Sequence, residues 1–242
     1  MKSIERIHLA LEPFLLPLHS TVRKRLLKIA GTTRKPAILD VGGRRSPYTT
    51  GVPGRIVLTD LPRTSDTQWQ LGLGLTMSDM HRLRRRRSNI AHIVFDDMTR
   101  SALRDSVFDC VVAVEVLEHV EDDRSFVREV RRVLRPGGTF LLTTPNGDWV
   151  KNTNPDHKRH YTRNGLHDLL AESFDTVCVD YAIRDSKART LGLRSWSARS
   201  PMQTLITMGC NALNTWESAP AQLKTQSIGT RHLIATARRA AD

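Results

Sequence analysis

One stretch of the sequence, residues 37–48 (AILDVGGRRSPY), limits most strongly what this chain can fold into. A short apolar run is broken by Asp40 and then by Gly42 and Gly43. This profile is typical of a buried parallel strand that leads into a tight loop, where glycine permits positive φ and a close approach of a ligand. In open α/β sheets, ligands bind beyond the carboxyl ends of such strands. Taken alone the stretch predicts little more, because many buried strands end in Gly-Gly.

Further apolar runs follow this stretch, and several of them end in acidic residues. Amphipathic segments between some of these runs have the spacing of helices, so the order of elements is that of an α/β chain. The strands predicted after the first are residues 56–60, 92–95, 108–114, 139–144, 175–182 and 230–237.

Length and composition suit a globular protein. The 242 residues can form one α/β domain with appendages, and 39% of them are hydrophobic. The three cysteines form no CxxC pair, which predicts buried thiols in a reducing compartment and no cysteine-based zinc site. The expected location is the cytoplasm, with peripheral contact to a membrane as an extension of that expectation.

The chain is strongly basic, with a net charge of +12. Such a charge favours an acidic partner, which would be nucleic acid, an anionic membrane or a phosphorylated substrate. Much of it lies in residues 81–87 (HRLRRRR). We interpret this run as a solvated helix face in preference to a dedicated polyanion site, since charge runs are usually solvated.

Two segments lie outside the predicted sheet. Residues 1–35 predict two helices joined between Pro13 and Pro17, an extension that packs on the domain or acts as a lid; membrane contact is the alternative. Prolines and an acid interrupt this segment, so neither a signal peptide nor a membrane span is expected. Residues 183–229 form a segment longer than a hairpin needs, and loops of this length in compact domains are usually functional or disordered. Residues 201–216 predict a helix within it that carries, on one face, Leu205, Ile206, Gly209, Leu213 and Trp216.

The ordered set of motifs resembles the class I S-adenosylmethionine (SAM) methyltransferases of the small-molecule type, similar to those of ubiquinone and glycan biosynthesis. The motifs are DVGG, the strand-end acid Asp60, FDDM, FDCVVAVEVLEHV and LRPGGTFLLTTPNG, and they span roughly residues 36–180. The resemblance implies a Rossmann-like, mostly parallel sheet of seven strands with helices on both faces. Residues 36–242 would then be the SAM-binding domain, with the N-terminal helices of residues 1–35 before it. The helical insertion before the last strand, residues 183–229, would cap the acceptor site.

The resemblance also implies which residues bind the adenosine part of SAM. Asp60 ends a strand, where a carboxylate can accept hydrogen bonds from both ribose hydroxyls; the alternative is a turn aspartate. Leu61 would flank the adenine. Asp97 would accept from the adenine amino group with Met98 against the ring, and Asp96 is the competing residue.

The amino-acid end of SAM would meet the glycine loop. Asp40 and Gly42 match the family pattern D-x-G-x-G, but Arg44 stands where the next glycine is expected. Gly43 is the substitute for that missing glycine. Glu115, after the fourth strand, would bind the SAM ammonium group or cap a turn.

The acceptor side is less well defined by the sequence. His119 is a candidate general base, with a buried structural histidine as the alternative. His160 and Tyr161 are candidates to line the acceptor pocket. No metal site is predicted, because His157 and His160 have no third ligand at a familiar spacing.

The function expected from the resemblance is methyl transfer from SAM to a small molecule, most simply to a hydroxyl of a sugar, lipid or secondary metabolite. The substrate could be phosphorylated or lipid-linked, which would suit the basic charge. The alternatives are an RNA methyltransferase that uses the basic surface and a non-catalytic scaffold with the SAM fold. Neither the acceptor nor an oligomeric state follows from the sequence.

Overall fold

The computed structural model describes residues 2–64 and 74–241. Their strands form one seven-stranded sheet in the order β3-β2-β1-β4-β5-β7-β6. Only β7 is antiparallel to its neighbours. The predicted α/β fold is therefore confirmed. The strands are β1 (Ala37–Val41), β2 (Arg55–Asp60), β3 (Ile90–Phe95), β4 (Phe108–Val114), β5 (Leu134–Pro145), β6 (Thr176–Arg184) and β7 (Thr230–Arg238).

The central strands are apolar on both faces because helices cover both sides of the sheet. Ile38 of β1 lies between Ile56 of β2 and Cys110 of β4, and all three side chains are fully buried. The helices are α1 (Ser3–Ala10), α2 (Pro17–Ala30), α3 (Met77–Arg86), α4 (Asp123–Val133), α5 (Arg163–Ala171), α6 (Lys187–Gly192) and α7 (Pro201–Glu217).

Two hydrophobic clusters fill the space between the sheet and its helices. On one face, Leu18, Val22 and Leu26 of α2 pack on β1, β2 and β4. On the other face, apolar residues of α4 and α5 pack on alternate positions of the same central strands. This division fixes the sheet in place and leaves the carboxyl ends of β1 to β4 at one edge.

The N-terminal helices pack on the domain and on the loop after β1. Glu5 of α1 is fully buried and accepts a hydrogen bond from the backbone N of Ser88 at 2.6 Å. Arg23 of α2 pairs with Glu12 at 2.9 Å and donates to the carbonyl of Thr50 at 2.6 Å. The packing that we expected for this segment is therefore present, while its action as a lid stays a prediction.

Helix α7 turns a polar face inward. Its fully or nearly fully buried side chains are Thr207, Asn211 and Asn214. Asn211 Nδ2 donates to the carbonyl of Phe14 at 3.0 Å, and Asn214 Nδ2 donates to the carbonyl of Arg184 at 2.9 Å. The apolar face predicted from the sequence exists, but it points outward, with 48% to 74% of each side chain exposed at Met202, Leu205, Ile206, Leu213 and Trp216.

Membrane-spanning helices were sought across residues 2–64 and 74–241. None of the helices there has both the length and the apolar character that crossing a bilayer requires.

Candidate functional site

A cavity of about 590 Å³ opens at the carboxyl ends of β1 to β4. This volume lies in the range of pockets that hold small molecules and cofactors. The structure brings together there most of the residues that the sequence singled out, because parallel strands end at the same edge of the sheet. The predicted residues that line the cavity are Gly42, Asp60, Leu61, Asp97, Met98, Glu115 and His119.

The glycine loop after β1 has no room for side chains at its first two positions. Gly42 has a φ of +68°, and a Cβ there would lie 2.7 Å from Cγ2 of Val116. A Cβ on Gly43 would lie 2.3 Å from Cγ of Asp40. Both positions therefore require glycine, Gly42 for its left-handed backbone and Gly43 for its close approach to a carboxylate.

Asp40 holds this loop from inside. Its carboxylate is fully buried and does not line the cavity. It accepts hydrogen bonds from the hydroxyls of Ser46, of Tyr48 at 3.2 Å and of Thr49 at 2.8 Å. Burial raises the pKa of Asp40, and the charge of Arg87 opposes that rise. The geometry thus gives Asp40 a role in shaping the loop, rather than the predicted direct contact with the ligand.

Arg87 supports the loop after β1 from within the fold, a role that its sequence position did not predict. It ends the basic run, and we interpreted the whole run as solvated, yet Arg87 is only 6% exposed. Its guanidinium donates to Thr49 Oγ1 at 2.6 Å and to the carbonyl of Ser46 at 3.2 Å. The side chains of Arg84 to Arg86 are exposed, as the interpretation requires. Nothing in the local sequence distinguishes Arg87 from them, because its partners lie some forty residues earlier.

Asp60 lies at the end of β2 on the cavity wall. Its Oδ1 accepts from the backbone N of Leu61 at 2.9 Å, and its Oδ2 lies 3.9 Å from Nε of Arg44. Burial raises the pKa of Asp60 to about 6, although Leu61 and Arg44 both act to lower it. At neutral pH the carboxylate is therefore ionised and able to accept hydrogen bonds from a ligand.

Two carboxylates follow β3, and both line the cavity. Asp97 Oδ1 accepts from the hydroxyl and backbone N of Thr99 at 2.7 and 3.0 Å, and its Oδ2 pairs with Arg100, whose side chain is 86% exposed. Burial alone would raise the pKa of Asp97, but the bonds from Thr99 hold it below its usual value. Asp96 uses Oδ1 to accept from the backbone N of Ala102, and its buried Oδ2 has no partner among the described residues.

Glu115 leaves β4 with an unusual backbone. Its φ is +54°, a left-handed value that is rare outside glycine and that concentrates at functional sites. Oε1 accepts from the hydroxyl of Thr143 at 2.9 Å, and Oε2 lies 3.3 Å from Nδ1 of His232. Burial would raise the pKa of Glu115, but His232 and Thr143 hold it below its usual value. Glu115 is thus a fixed anion on the cavity wall.

The loops after β4 and β5 meet at the mouth of the cavity. His119 lines the cavity, and its Nδ1 lies 3.2 Å from the carbonyl of Asp156. The ring of His157 packs edge-on against that of His119, with centroids 4.6 Å apart. His157 in turn is hydrogen-bonded to His160 at 2.8 Å. Burial is the main reason that the pKa of His157 is lowered.

Glu118 and Tyr161 are both largely or fully buried next to this cluster. Burial, with the charge of Glu115, raises the pKa of Glu118 well above its usual value. Tyr161 is 7% exposed, and its hydroxyl donates to Asp123 at 2.7 Å. Tyr161 does not line the cavity. Tyr161 thus holds its loop to α4. His160 does not line the cavity either, and it contacts His157 instead.

Comparisons with known proteins agree with this geometry. A family model described as a methyltransferase domain matches residues 58–142. A probable S-adenosylmethionine-dependent methyltransferase of Mycolicibacterium smegmatis is 44% identical over 73 residues, covering 28% of this chain and 28% of that protein. A ubiquinone biosynthesis O-methyltransferase of a Methylobacterium species is 56% identical over 39 residues, covering 16% of each. The matched part thus spans less than a third of the length of these relatives.

A solved structure gives the comparison over the whole fold. The crystal structure of a SAM-dependent methyltransferase from Archaeoglobus fulgidus superposes with a TM-score of 0.57 and covers 91% of this chain and 94% of that one. The two sequences are 14% identical, so this likeness shows a shared fold.

The fold and the site define a class of protein: a doubly wound α/β domain with a glycine loop after β1 and acids at the ends of β2 and β3, the arrangement that binds nucleosides. Within that class, the partial matches to methyltransferases support a class I SAM-dependent methyltransferase, and the solved structure supports the fold. The cofactor of this family is SAM, and the cavity fits it. The fit rests on a loop with no space for Cβ atoms, a ring of carboxylates and a buried carboxylate oxygen without a partner.

Proposed function

We propose that this protein transfers the methyl group of SAM to a hydroxyl group of a small molecule such as a sugar, a lipid or a secondary metabolite. The observation that carries the proposal is the cavity itself. It combines strand-end acids suited to an adenosine with a wall formed by Glu115 and, at the mouth of the cavity, His119. The match to a fragment of a ubiquinone biosynthesis O-methyltransferase supports oxygen as the methylated atom.

The proposed cofactor site uses residues from three strand ends. Asp60 accepts hydrogen bonds from the ribose hydroxyls, and Leu61 and Met98 flank the adenine. Asp97 accepts from the adenine amino group through Oδ2, because Thr99 fixes its carboxylate and the only partner of Oδ2 that the structure gives is the largely exposed Arg100. Gly42 lets the backbone approach the amino-acid end.

Glu115 would bind the ammonium group of the cofactor. It is ionised, held by Thr143, and carries the strained backbone that is common in ligand-binding residues. Asp40 and Gly43 support the loop from behind and act on binding only through its shape. These assignments together use every cavity-lining residue that the sequence predicted except His119.

Asp96 is the matched control for Asp97. We expect Asp97→Asn to weaken the binding of S-adenosylhomocysteine and to abolish the preference for it over the deaminated analogue, which lacks the adenine amino group. Asp96→Asn should keep that preference. If instead only the Asp96 variant loses the preference, the assignment passes to Asp96, whose Oδ2 is the alternative acceptor.

Methyl transfer from SAM requires little of the protein beyond the correct placement of the two reactants. When bound, SAM supplies a methyl group on a sulfonium centre that an in-line nucleophile can attack. The acceptor oxygen gains the bond to carbon, the carbon–sulfur bond breaks, and the hydroxyl proton leaves. Orientation and exclusion of water account for much of such rate enhancements. His119, on the cavity wall, is the residue placed to receive the hydroxyl proton.

The acceptor would enter between the mouth and the insertion. Because β6 runs parallel to β1 to β5 and β7 runs back, residues 185–229 leave and re-enter the sheet at the edge that carries the cavity. His232 at the start of β7 already contacts Glu115. These contacts support the cap proposed for this segment, and the exposed basic run of α3 would suit a phosphorylated acceptor.

The exposed arginines of α3 also keep RNA as a second candidate acceptor. A calorimetric titration of S-adenosylhomocysteine into the wild-type protein and into Asp60→Ala tests the cofactor half. We expect binding by the wild type and its loss in the variant. No binding by a folded wild-type protein would refute methyl transfer and favour the scaffold. With binding established, transfer of labelled methyl groups to sugar nucleotides, glycolipids or RNA identifies the acceptor class.

A further inference from the structure

Three side chains that can bind metals converge at the mouth of the cavity. Glu118, His119 and His157 each place one ligand atom within 4.8 Å of the other two. Glu118 and His119 follow β4, and His157 lies in the loop after β5. The backbone N of Lys158 donates to the carbonyl of Glu118 at 2.7 Å, so the two loops are joined beside the cluster.

The carboxyl group of Glu118 is poorly satisfied. The side chain is fully buried, and within residues 2–64 and 74–241 no hydrogen bond of good geometry reaches Oε1 or Oε2, although the hydroxyl of Thr144 lies close enough to act on the group. Burial of a carboxylate is costly unless a hydrogen bond, an ion pair or a metal compensates for it. The neighbouring imidazoles can donate hydrogen bonds to this group only if the ring nitrogens that face it carry hydrogens.

The hydrogen bonds of the histidines determine where those hydrogens are. His119 Nδ1 lies 3.2 Å from the carbonyl of Asp156, and a carbonyl only accepts, so Nδ1 carries the hydrogen. His160 Nδ1 likewise donates to the carbonyl of Val150 at 2.9 Å, which leaves its Nε2 as an acceptor. That atom lies 2.8 Å from His157 Nδ1, which must therefore donate.

Both His119 and His157 thus have an Nε2 lone pair free for a ligand. Histidines that bind metals usually donate their other N–H to a carbonyl or a similar acceptor in this way. In the neutral state of the three rings, the cluster therefore presents two nitrogen lone pairs and one carboxyl group, which would bind a cation as the carboxylate with release of its proton. These are the ligand atoms of a cation and not of an anion.

We propose that Glu118, His119 and His157 bind a divalent transition-metal ion of the zinc type. Imidazole nitrogen with a carboxylate suits zinc and its neighbours, whereas magnesium and calcium prefer oxygen ligands alone. Three protein ligands leave a coordination position open, as in catalytic zinc sites. His119 lines the cavity, so a metal held by its ring would lie beside the space proposed for the acceptor.

The site would deepen the function proposed above and rests on it for its role in catalysis. A hydroxyl bound to the open position would have its pKa lowered by the metal, which makes its oxygen a better nucleophile. His119 would then be a ligand and not the general base, and the hydroxyl proton would pass to water at the mouth of the cavity. The sequence predicted no metal site around His157 and His160, because the two other ligands proposed here, Glu118 and His119, lie almost forty residues before His157 and meet it only through the fold.

The test uses the full-length protein after treatment with a chelator and dialysis. Zinc is titrated by calorimetry, and cobalt(II) is titrated by visible absorption, which reports the coordination number. We expect one equivalent per chain with a tetrahedral or five-coordinate cobalt spectrum. Glu118→Gln and His157→Asn should each weaken binding on the order of 100-fold, and His160→Asn by about 10-fold, as for residues that orient a ligand.

His167→Asn is the matched control, because His167 is an exposed histidine on α5 outside the cluster. It should bind zinc as the wild type does. The proposal is overturned if the folded wild-type protein takes up no stoichiometric zinc or cobalt, if it prefers magnesium, or if the Glu118 and His157 variants bind as tightly as the wild type. Circular dichroism checks that each variant folds.

A parallel titration with S-adenosylhomocysteine separates the two proposals. Metal binding without cofactor binding would leave the site standing and refute methyl transfer. Cofactor binding without metal binding would refute the site and return His119 to the role of general base.

Discussion

Nε of Arg44 lies 3.9 Å from Oδ2 of Asp60, and both residues line the same cavity. Arg44 occupies the position at which the family pattern has a glycine. Its charge favours the ionised form of Asp60, against the burial that raises the pKa of that carboxyl to about 6. The arginine at this position thus acts on the carboxylate proposed to hold the ribose. Gly42 and Gly43 provide the backbone freedom that the tight loop requires.

The first prediction concerns the pH dependence of cofactor binding. The affinity for S-adenosylhomocysteine should fall as the pH drops through about 6, because protonated Asp60 loses acceptor capacity. In Arg44→Ala the midpoint should move upward by ~0.5–1 unit, since a favourable charge is removed from a partly buried carboxylate. Calorimetric titrations from pH 5 to pH 8 measure both midpoints. Arg45→Ala, the control with the same change of charge, should leave the midpoint in place; equal shifts in both variants would contradict the argument.

The second prediction is that Asp60→Asn stabilises the protein at high pH while it weakens cofactor binding. Because the folded pKa of about 6 lies above the unfolded value, the contribution of Asp60 to stability is full below pH 4 and is lost as the pH rises through 6. The neutral amide avoids that loss. The free energy of unfolding by urea should rise by ~1–3 kcal/mol at pH 8 and by clearly less at pH 5. An equal gain at both pH values would exclude titration of Asp60 as the cause.

Asp40 should respond in the opposite direction. Asp40→Asn removes a negative charge that favours the charged form of the buried Arg87 and weakens the acceptor of three hydroxyl hydrogen bonds, and it is expected to lower the free energy of unfolding by ~1–3 kcal/mol. A double-mutant cycle with Arg87→Met provides the control in urea unfolding. If the two side chains act as a pair, Arg87→Met costs less in the Asp40→Asn background than in the wild type. Additive losses would show that they act independently.

Two glycines give a matched pair of alanine substitutions. Gly43→Ala would place a Cβ 2.3 Å from Cγ of the buried Asp40, and should destabilise the protein and weaken S-adenosylhomocysteine binding together. Gly209, on α7, has nothing within 4 Å of its Cβ position. Gly209→Ala should raise the stability by up to ~1 kcal/mol and leave binding unchanged. Thermal unfolding and calorimetry measure both effects, and a loss of binding in Gly209→Ala would be inconsistent with this structure.

The inverted face of α7 leads to a further prediction. Leu205→Gln, on the outward face, should change the free energy of unfolding by less than ~0.5 kcal/mol, because Leu205 is 61% exposed. Asn214→Leu adds apolar surface but removes donors to the carbonyl of Arg184 and to Glu217, and should cost ~1–3 kcal/mol. Urea unfolding of the two variants decides the orientation of the helix: the reverse order of costs would mean that the apolar face is the buried one.

The strands were predictable from the sequence because each is a buried apolar run, and burial on both faces leaves a continuous signal. Six of the seven predicted strands both begin and end within three residues of the observed ones. The start of β5 differs more. Its first residue, Leu134, pairs with Phe108 before a register shift, and the proline and glycines that follow are typical of a turn. A turn signature describes local backbone preference and cannot report pairing with a distant strand.

The cofactor side of the site was predictable for the same reason, since the strand ends bring Asp60, Asp97 and Glu115 to one edge. Three features were not. The burial of Arg87, the internal role of Asp40 and the meeting of Glu118 with His157 all depend on contacts between distant residues. The face that α7 buries also depends on partners elsewhere, the carbonyls of Phe14 and Arg184, which the periodicity of the helix does not contain.

The two ends of the insertion, residues 185–229, are held together where β6 pairs with β7. Arg184 and Thr230 are paired across β6 and β7, and the backbone N of Asp185 donates to the carbonyl of Gly229 at 2.8 Å. The two ends of the segment between them are thus as close as the ends of a tight turn, and Gly229, with a φ of +72°, already has a turn-like backbone. The segment can in consequence be exchanged as a cassette: evolution or an engineer could shorten, lengthen or replace it without changing the register of any strand. In the role proposed for it as a cap, such an exchange would vary the acceptor and leave the cofactor half intact.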